Sequence, residues 1–134
     1  MSRRADISLR CWDGEHTFRL RIGELITLQE KCDAGPYQIA LRLGDGTWRV
    51  NDIRETLRLG LVGAGTKQED ARRLIEQHVD RVPWMDNVEN AQAVILAAVM
   101  GMEDERLGGE QAVTTNDPES GERSPSPPTT PPGS

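Results

Sequence analysis

Aromatic residues are scarce in this 134-residue sequence: one phenylalanine, one tyrosine and three tryptophans. Cysteine is scarcer still, at two, Cys11 and Cys32. There is no C-x-x-C pair and no H-x-x-x-H pair. That absence argues against a zinc site, which needs clustered thiolate and imidazole ligands. No serine or cysteine stands in a nucleophile-elbow or papain-like context, which argues against covalent catalysis. The two histidines, His16 and His78, sit apart in the chain. His16 is assigned to the outer run of a strand, and His78 to the boundary of a helix face. The sequence therefore points to no cofactor and no metal. Long apolar runs are also missing. The richest, residues 91–102, is too short to span a bilayer, and no membrane partner is expected. Nothing near Met1 reads as a secretory signal, since a charged, alternating segment follows the basic start. The expected location is the cytoplasm of the cell that makes the chain, with both thiols reduced.

Core-forming residues run out toward the end. From Glu103 onward there is no aromatic, and the large aliphatics are Leu107 and Val113. The last residues, SPSPPTTPPGS at 124–134, are rich in proline, which removes backbone donors and favours extended chain. Such a segment lacks the apolar area to offset the entropy of ordering. Residues 5–102 are therefore read as one folded domain, and 103–134 as a disordered acidic, proline-rich tail. A domain of about 100 residues buries an adequate core without crosslinks. The tail holds Glu103, Asp104, Glu105, Glu110, Asp117, Glu119 and Glu122 against Arg106 and Arg123, a net −5. The whole chain is −6, which leaves the domain near neutral. Near-neutrality argues against nonspecific nucleic-acid binding, which needs a basic footprint.

What is present is patterned. Ile7, Leu9 and Cys11 alternate with polar residues, as do Phe18, Leu20 and Ile22. Asp13-Gly14 between them is a turn signal, so residues 6–22 are expected to form a β-hairpin. Its outer face would carry Arg10, Arg19 and Arg21. Leu25, Leu28 and Cys32 mark one face of a helix that Gly35-Pro36 should end. A short helix over 37–43 should stop at Gly44-Asp45-Gly46. Residues 47–50 read as extended. The strings DIRE at 52–55, TKQE at 66–69 and DNVE at 86–89 each have capping-box spacing, and each is taken as a helix start. Ala71, Leu74, Ile75, Val79 and Val82 would line the helix that opens at 66–69. Ala91, Ile95, Ala98, Val99 and Met102 would line the last. The expected fold class is α+β: an N-terminal β-hairpin packed on a small helical bundle, with a disordered C-terminal tail.

Three patterns bear on function. The run GLVGAGTK at 60–67 looks like a phosphate loop, but its order is Thr-Lys instead of Lys-Ser/Thr, and it follows a helix. A helix–helix corner is the simpler reading, with Gly63 and Gly65 supplying positive φ and Thr66 capping the next helix. The hairpin arginines could enter a nucleic-acid groove; more often such a set is the polar side of a half-buried sheet. Each tryptophan stands at an element edge, where the ring either anchors a loop or forms a binding hot spot. Trp48, beside Val50 and Ile53, is assigned to anchoring. Trp84 and Met85 are assigned to a contact surface, together with Arg10, Arg19 and Arg21.

The strings GELITLQEKCDAGP at 23–36 and WRVNDIRETLRLGLVG at 48–63, then Asn87 and the alanine-rich 91–101, carry a resemblance. The chain resembles the small tail protein encoded by gene transfer agents, the phage-like particles of alphaproteobacteria, and by related prophages. That family is grouped with phage tail assembly chaperones and is also labelled a tail tube protein. The resemblance covers most of 12–101, and 52–63 is its most specific part. It brings no catalytic motif. It implies a non-enzymatic protein whose partners are the tail tape-measure protein, the tail tube protein or both, with its oligomeric state left open. The alternatives are a structural tube component kept in the particle and, in another class, a nucleic-acid-binding regulator.

Overall fold

Period-two alternation in the first strands produces the expected hairpin. The computed structural model describes residues 6–101. Strands β1 (Asp6–Cys11) and β2 (Gly14–Arg19) pair antiparallel. The register sets Ile7 opposite Phe18 and Leu9 opposite His16. One face thus carries Ile7, Leu9 and the fully buried Phe18 into the core, and the chain continues to the buried Leu20. The other face pairs Asp6 with Arg19, Ser8 with Thr17 and Arg10 with Glu15. The Ser8 and Thr17 hydroxyls meet at 2.9 Å.

The turn lies one residue earlier than Asp13-Gly14 suggests. Trp12 and Asp13 are its central residues, and Gly14 already pairs with Cys11. Trp12 takes the positive φ, 60°, a conformation that a bulky side chain adopts only at some cost. Packing supplies the reason. The Trp12 ring meets Phe18 edge-on at 5.7 Å and stacks on His78 at 5.4 Å, and its indole N–H donates to Asn87 Oδ1 at 2.8 Å. His16 lies on the face that carries Leu9 and Phe18 instead of the expected outer face, because it stands two residues from Phe18 in the same strand. The hairpin ends at Arg19, so Arg21, expected on its outer face, is instead the N-cap of a helix that Ile22 opens, and Ile22 is 74% exposed.

Five α-helices follow among the described residues. Helix α1 (Ile22–Cys32) buries Leu28 and Cys32, with Leu25 packed beside them. Its C-cap is Asp33 in the left-handed region, φ 53°; Gly35 is instead the N-cap of α2 (Pro36–Asp45), with Pro36 in the first turn. That helix buries Ile39, Ala40 and Leu43 and ends at Gly46, φ 86°. Helix α3 (Val50–Gly63) begins earlier than the box at 52–55 implies. Arg49 is its N-cap, and the Asp52 carboxylate reaches back to the Arg49 backbone N–H at 2.9 Å. Asp52 therefore stands third in the helix. Val50 is helical where extended chain was expected.

Helix α3 packs against β2, α1, α4 and α5, which makes it the centre of the domain. Ile53, Leu57 and Leu61 are buried along it. Two of its glycines allow close approach. A Cβ on Gly60 would press on Phe18 and Val94 at 3.1–3.2 Å, and one on Gly63 would lie 1.8 Å from the Arg19 carbonyl oxygen. The glycine run is a helix–helix corner. Gly65 supplies positive φ, 113°, whereas Gly63 remains in the helix. Thr66 does not cap the next helix: Lys67 is the N-cap of α4 (Gln68–Ile75), and the Thr66 backbone N–H donates to Leu61 O at 3.0 Å.

A π-helical turn, Glu76–Asp80, continues α4. Ala71, Ile75 and Val79 are buried, and Leu74 packs against the core. After Pro83 a 3-10 turn, Trp84–Asn87, leads into α5 (Val88–Met100). The DNVE spacing does not make Asp86 the N-cap. Asn87 takes that place without a side-chain capping bond, because its side chain is committed to Trp12 and His78. The buried face of α5 is Val88, Ala91, Val94, Ile95 and Ala97, while Val99 is exposed. The face is wider than one stripe because α2, α3 and the hairpin all contact this helix. A hairpin packed on a helical bundle is thus the observed fold. Arg3, Arg4, Met102 and the tail assigned to 103–134 lie outside the described residues.

Candidate functional site

The hairpin arginines do not converge. Arg10 lies across from Glu15 and Arg19 across from Asp6 in the strand register. Arg21 binds Glu24 through Nε and Nη2, both at 3.0 Å. These hydrogen bonds hold the Glu24 carboxyl below its ordinary range despite partial burial. All three arginines are exposed, yet each has an acid across from it or beside it. The outer face of the hairpin therefore alternates in sign.

The strongest ionic arrangement is internal. Arg42 donates to Asp52 through Nε at 2.9 Å and Nη2 at 2.6 Å, and both residues are buried. The same Nη2 also reaches Cys32 O at 3.3 Å. One turn along α3, Glu55 accepts from Arg58 and from Arg54, and Arg54 continues to Asp80. Burial pushes the Glu55 carboxyl up, but Arg58 and Arg54 together bring it below its ordinary value. A cleft of about 490 Å³ opens beside these groups, lined also by Lys31, Glu69 and Arg72. Its lining mixes both signs, and Arg54 and Arg58 are already held by carboxylates.

At the hairpin tip, Asn87 links Trp12 to the α4 end. It donates through Nδ2 to His78 O at 2.9 Å and accepts from Asn90 at 3.0 Å. Asp13 sits between His16, at 2.8 Å, and His78, at 3.8 Å. Among the described residues, no group of three or more His, Cys, Asp or Glu side chains is placed to hold a metal ion. None of the described helices is long and apolar enough to cross a membrane.

Trp84 and Met85, adjacent in sequence, part company. Trp84 is half-buried and packs against the core; Met85 is 68% exposed. Met85 forms one wall of a cleft of about 480 Å³ between the end of α2 and the start of α5. Trp48 forms another wall while packing against the core, so the anchoring expected of it is only half of its placement. Gly44 and Gly46 border the cleft, and Asp86 and Glu89 stand on its rim. Sequence reasoning singled out Met85 but not this grouping. The available signal was Gly46 just before Trp48, which leaves backbone bare next to a large apolar ring; at Gly44 the Gln92 amide stands over the backbone.

Other apolar side chains are exposed on helical surfaces. Ile22 and Ile26 are one turn apart on α1, and Tyr37 and Leu41 are one turn apart on α2. Such i, i+4 pairs form short stripes on the helix surface.

Comparison with curated proteins returned no match, and comparison with solved structures returned none. Residues 4–101 match the family described as "Phage tail tube protein, GTA-gp10". That match spans most of the chain and every described element, and the protein belongs to this phage tail family.

Proposed function

We propose that the protein is a tail assembly chaperone that acts by reversible protein binding and carries out no reaction. It binds the tape-measure protein, the tail tube protein or both in the cytoplasm of the bacterial host, before the tail is complete. The observation that carries this reading is the set of exposed apolar side chains on a small, otherwise well-filled helical domain: Ile22 at 74%, Met85 at 68% and Tyr37 at 59%. Apolar side chains exposed on α1, on α2 and in the turn before α5 offer contacts to an apolar partner that must be shielded from water. Membership of a phage tail family supplies the context. Co-expression of tagged protein with the neighbouring tail genes tests it. Retention of tape-measure or tube protein is the expected result, and retention of neither sinks the reading.

A structural tube subunit is the second reading, favoured by the family's description. The small sheet weighs against it, since closing a ring from strands needs more than one hairpin, and the described sheet has two strands. Mass spectrometry of purified particles separates the two. A stoichiometric signal from this chain would favour the structural role.

A further inference from the structure

We propose that the cleft between α2 and α5 is the docking site for an amphipathic helix of a partner protein, one that carries lysine or arginine beside its apolar face. The partner's place in tail assembly rests on the reading above; its chemistry rests on the cleft alone.

Shape selects a helix. The cleft borders are the end of α2, the loop to α3, the 3-10 turn and the first turns of α5. None of these is a strand edge, so an extended peptide would find no ladder to join. A helix satisfies its own backbone and needs only apolar contact. Trp48 and Met85 offer that contact from two sides. A tryptophan wall gives a rigid anchor, and a methionine adapts to the shape of an incoming side chain. Gly46 has nothing within 4 Å of where a Cβ would stand, so backbone there lies open to close approach.

Charge selects the flank. Asp86 and Glu89 line the cleft, both are exposed, and no lysine or arginine lines it. A basic side chain one turn from the apolar face would meet these carboxylates at the rim. An acidic one would be repelled. Rim charges of this kind decide partner choice more than raw affinity.

Three synthetic helical peptides of about 18 residues, five turns, test this. Each has a leucine face; the remaining positions are lysine, glutamine or glutamate. They are titrated at low salt into the full-length isotope-labelled chain and followed by amide and indole NMR. The lysine peptide should shift the Trp48 indole and the Gly44 and Gly46 amides. It should bind about tenfold tighter than the glutamate peptide. Met85→Ser should weaken the lysine peptide by about tenfold. The double variant Asp86→Asn/Glu89→Gln should erase the lysine preference. Binding of no peptide, shifts that map elsewhere, or equal affinity for lysine and glutamate peptides would each overturn the proposal. The two readings fail separately. If wild-type and Met85→Ser proteins retain tail proteins equally in the co-expression experiment, the cleft is rejected and the assembly role stands. If the lysine peptide binds at the cleft but wild type retains no tail protein, the cleft stands and the assembly role falls.

Discussion

Arg42 and Asp52 form a two-pronged ion pair inside the domain, joining α2 to α3 at 2.9 and 2.6 Å. Asp52 has no exposed surface, and Arg42 retains 8%. Removing one partner leaves the other charged and buried. Asp52→Ala should therefore cost about 3–5 kcal/mol in urea unfolding. Replacing both, as Arg42→Met with Asp52→Leu, should cost less than Asp52→Ala alone. A double variant as unstable as the sum of the singles would contradict this account.

Gly63 and Gly23 should respond in opposite directions to alanine. A methyl at Gly63 would stand inside the Arg19 carbonyl, so Gly63→Ala should lower stability by about 3 kcal/mol or more. Gly23 lies within α1 with open space around it. Gly23→Ala should raise stability by about 0.5–1 kcal/mol. Thermal melting of the two variants compares them directly.

Asn87→Leu removes the acceptor for the Trp12 indole N–H and the donor to His78 O. Two half-buried groups lose partners, and a loss of about 1–3 kcal/mol follows. The Trp12 indole signal should move strongly in NMR while the Trp48 indole stays in place. Equal movement of both would show a general disturbance instead.

Acid should destabilise the domain through Glu55. Its carboxyl titrates below its ordinary value of 4.5 in the folded chain, so its contribution is complete above that value. The contribution is lost as pH falls through the lower, folded value. The urea midpoint should decline below about pH 4.5, and Glu55→Gln should be less stable at neutral pH but decline less steeply. An identical slope in the variant would remove Glu55 from the explanation.

The thiols should be inert in the native protein. Burial, with Asp52 nearby, pushes the Cys32 thiol up to about 12; burial and Asp13 push Cys11 up to about 11. Little thiolate is then present near neutrality. Iodoacetamide at pH 7.5 should modify Cys32 only after denaturation and Cys11 slowly, as read by mass spectrometry. Rapid native labelling of Cys32 would be incompatible with its placement.

Much of the fold was legible because periodicity reports the buried face. Phe18, Leu28, Ile75 and Ile95 all go where their spacing directs. Helix starts were less legible. Asp52 fits the spacing of an N-cap, but a carboxylate also suits the third helical position, where it bonds back to Arg49. The turn at Trp12 escaped because Asp13-Gly14 is locally the better turn, and the shift is rewarded by Phe18 together with the distant His78 and Asn87. The candidate site was hardest. Trp48 and Met85 are brought together by the packing of α5 on α2, and no local pattern joins them.

The hydrogen bond between Trp12 and Asn87 spans 75 positions. A ribosome adding about 5–20 residues per second needs several seconds to cover that distance. An isolated hairpin is at best marginally stable in water. The hairpin, made before every described helix, thus waits for the start of α5 before its tip is secured.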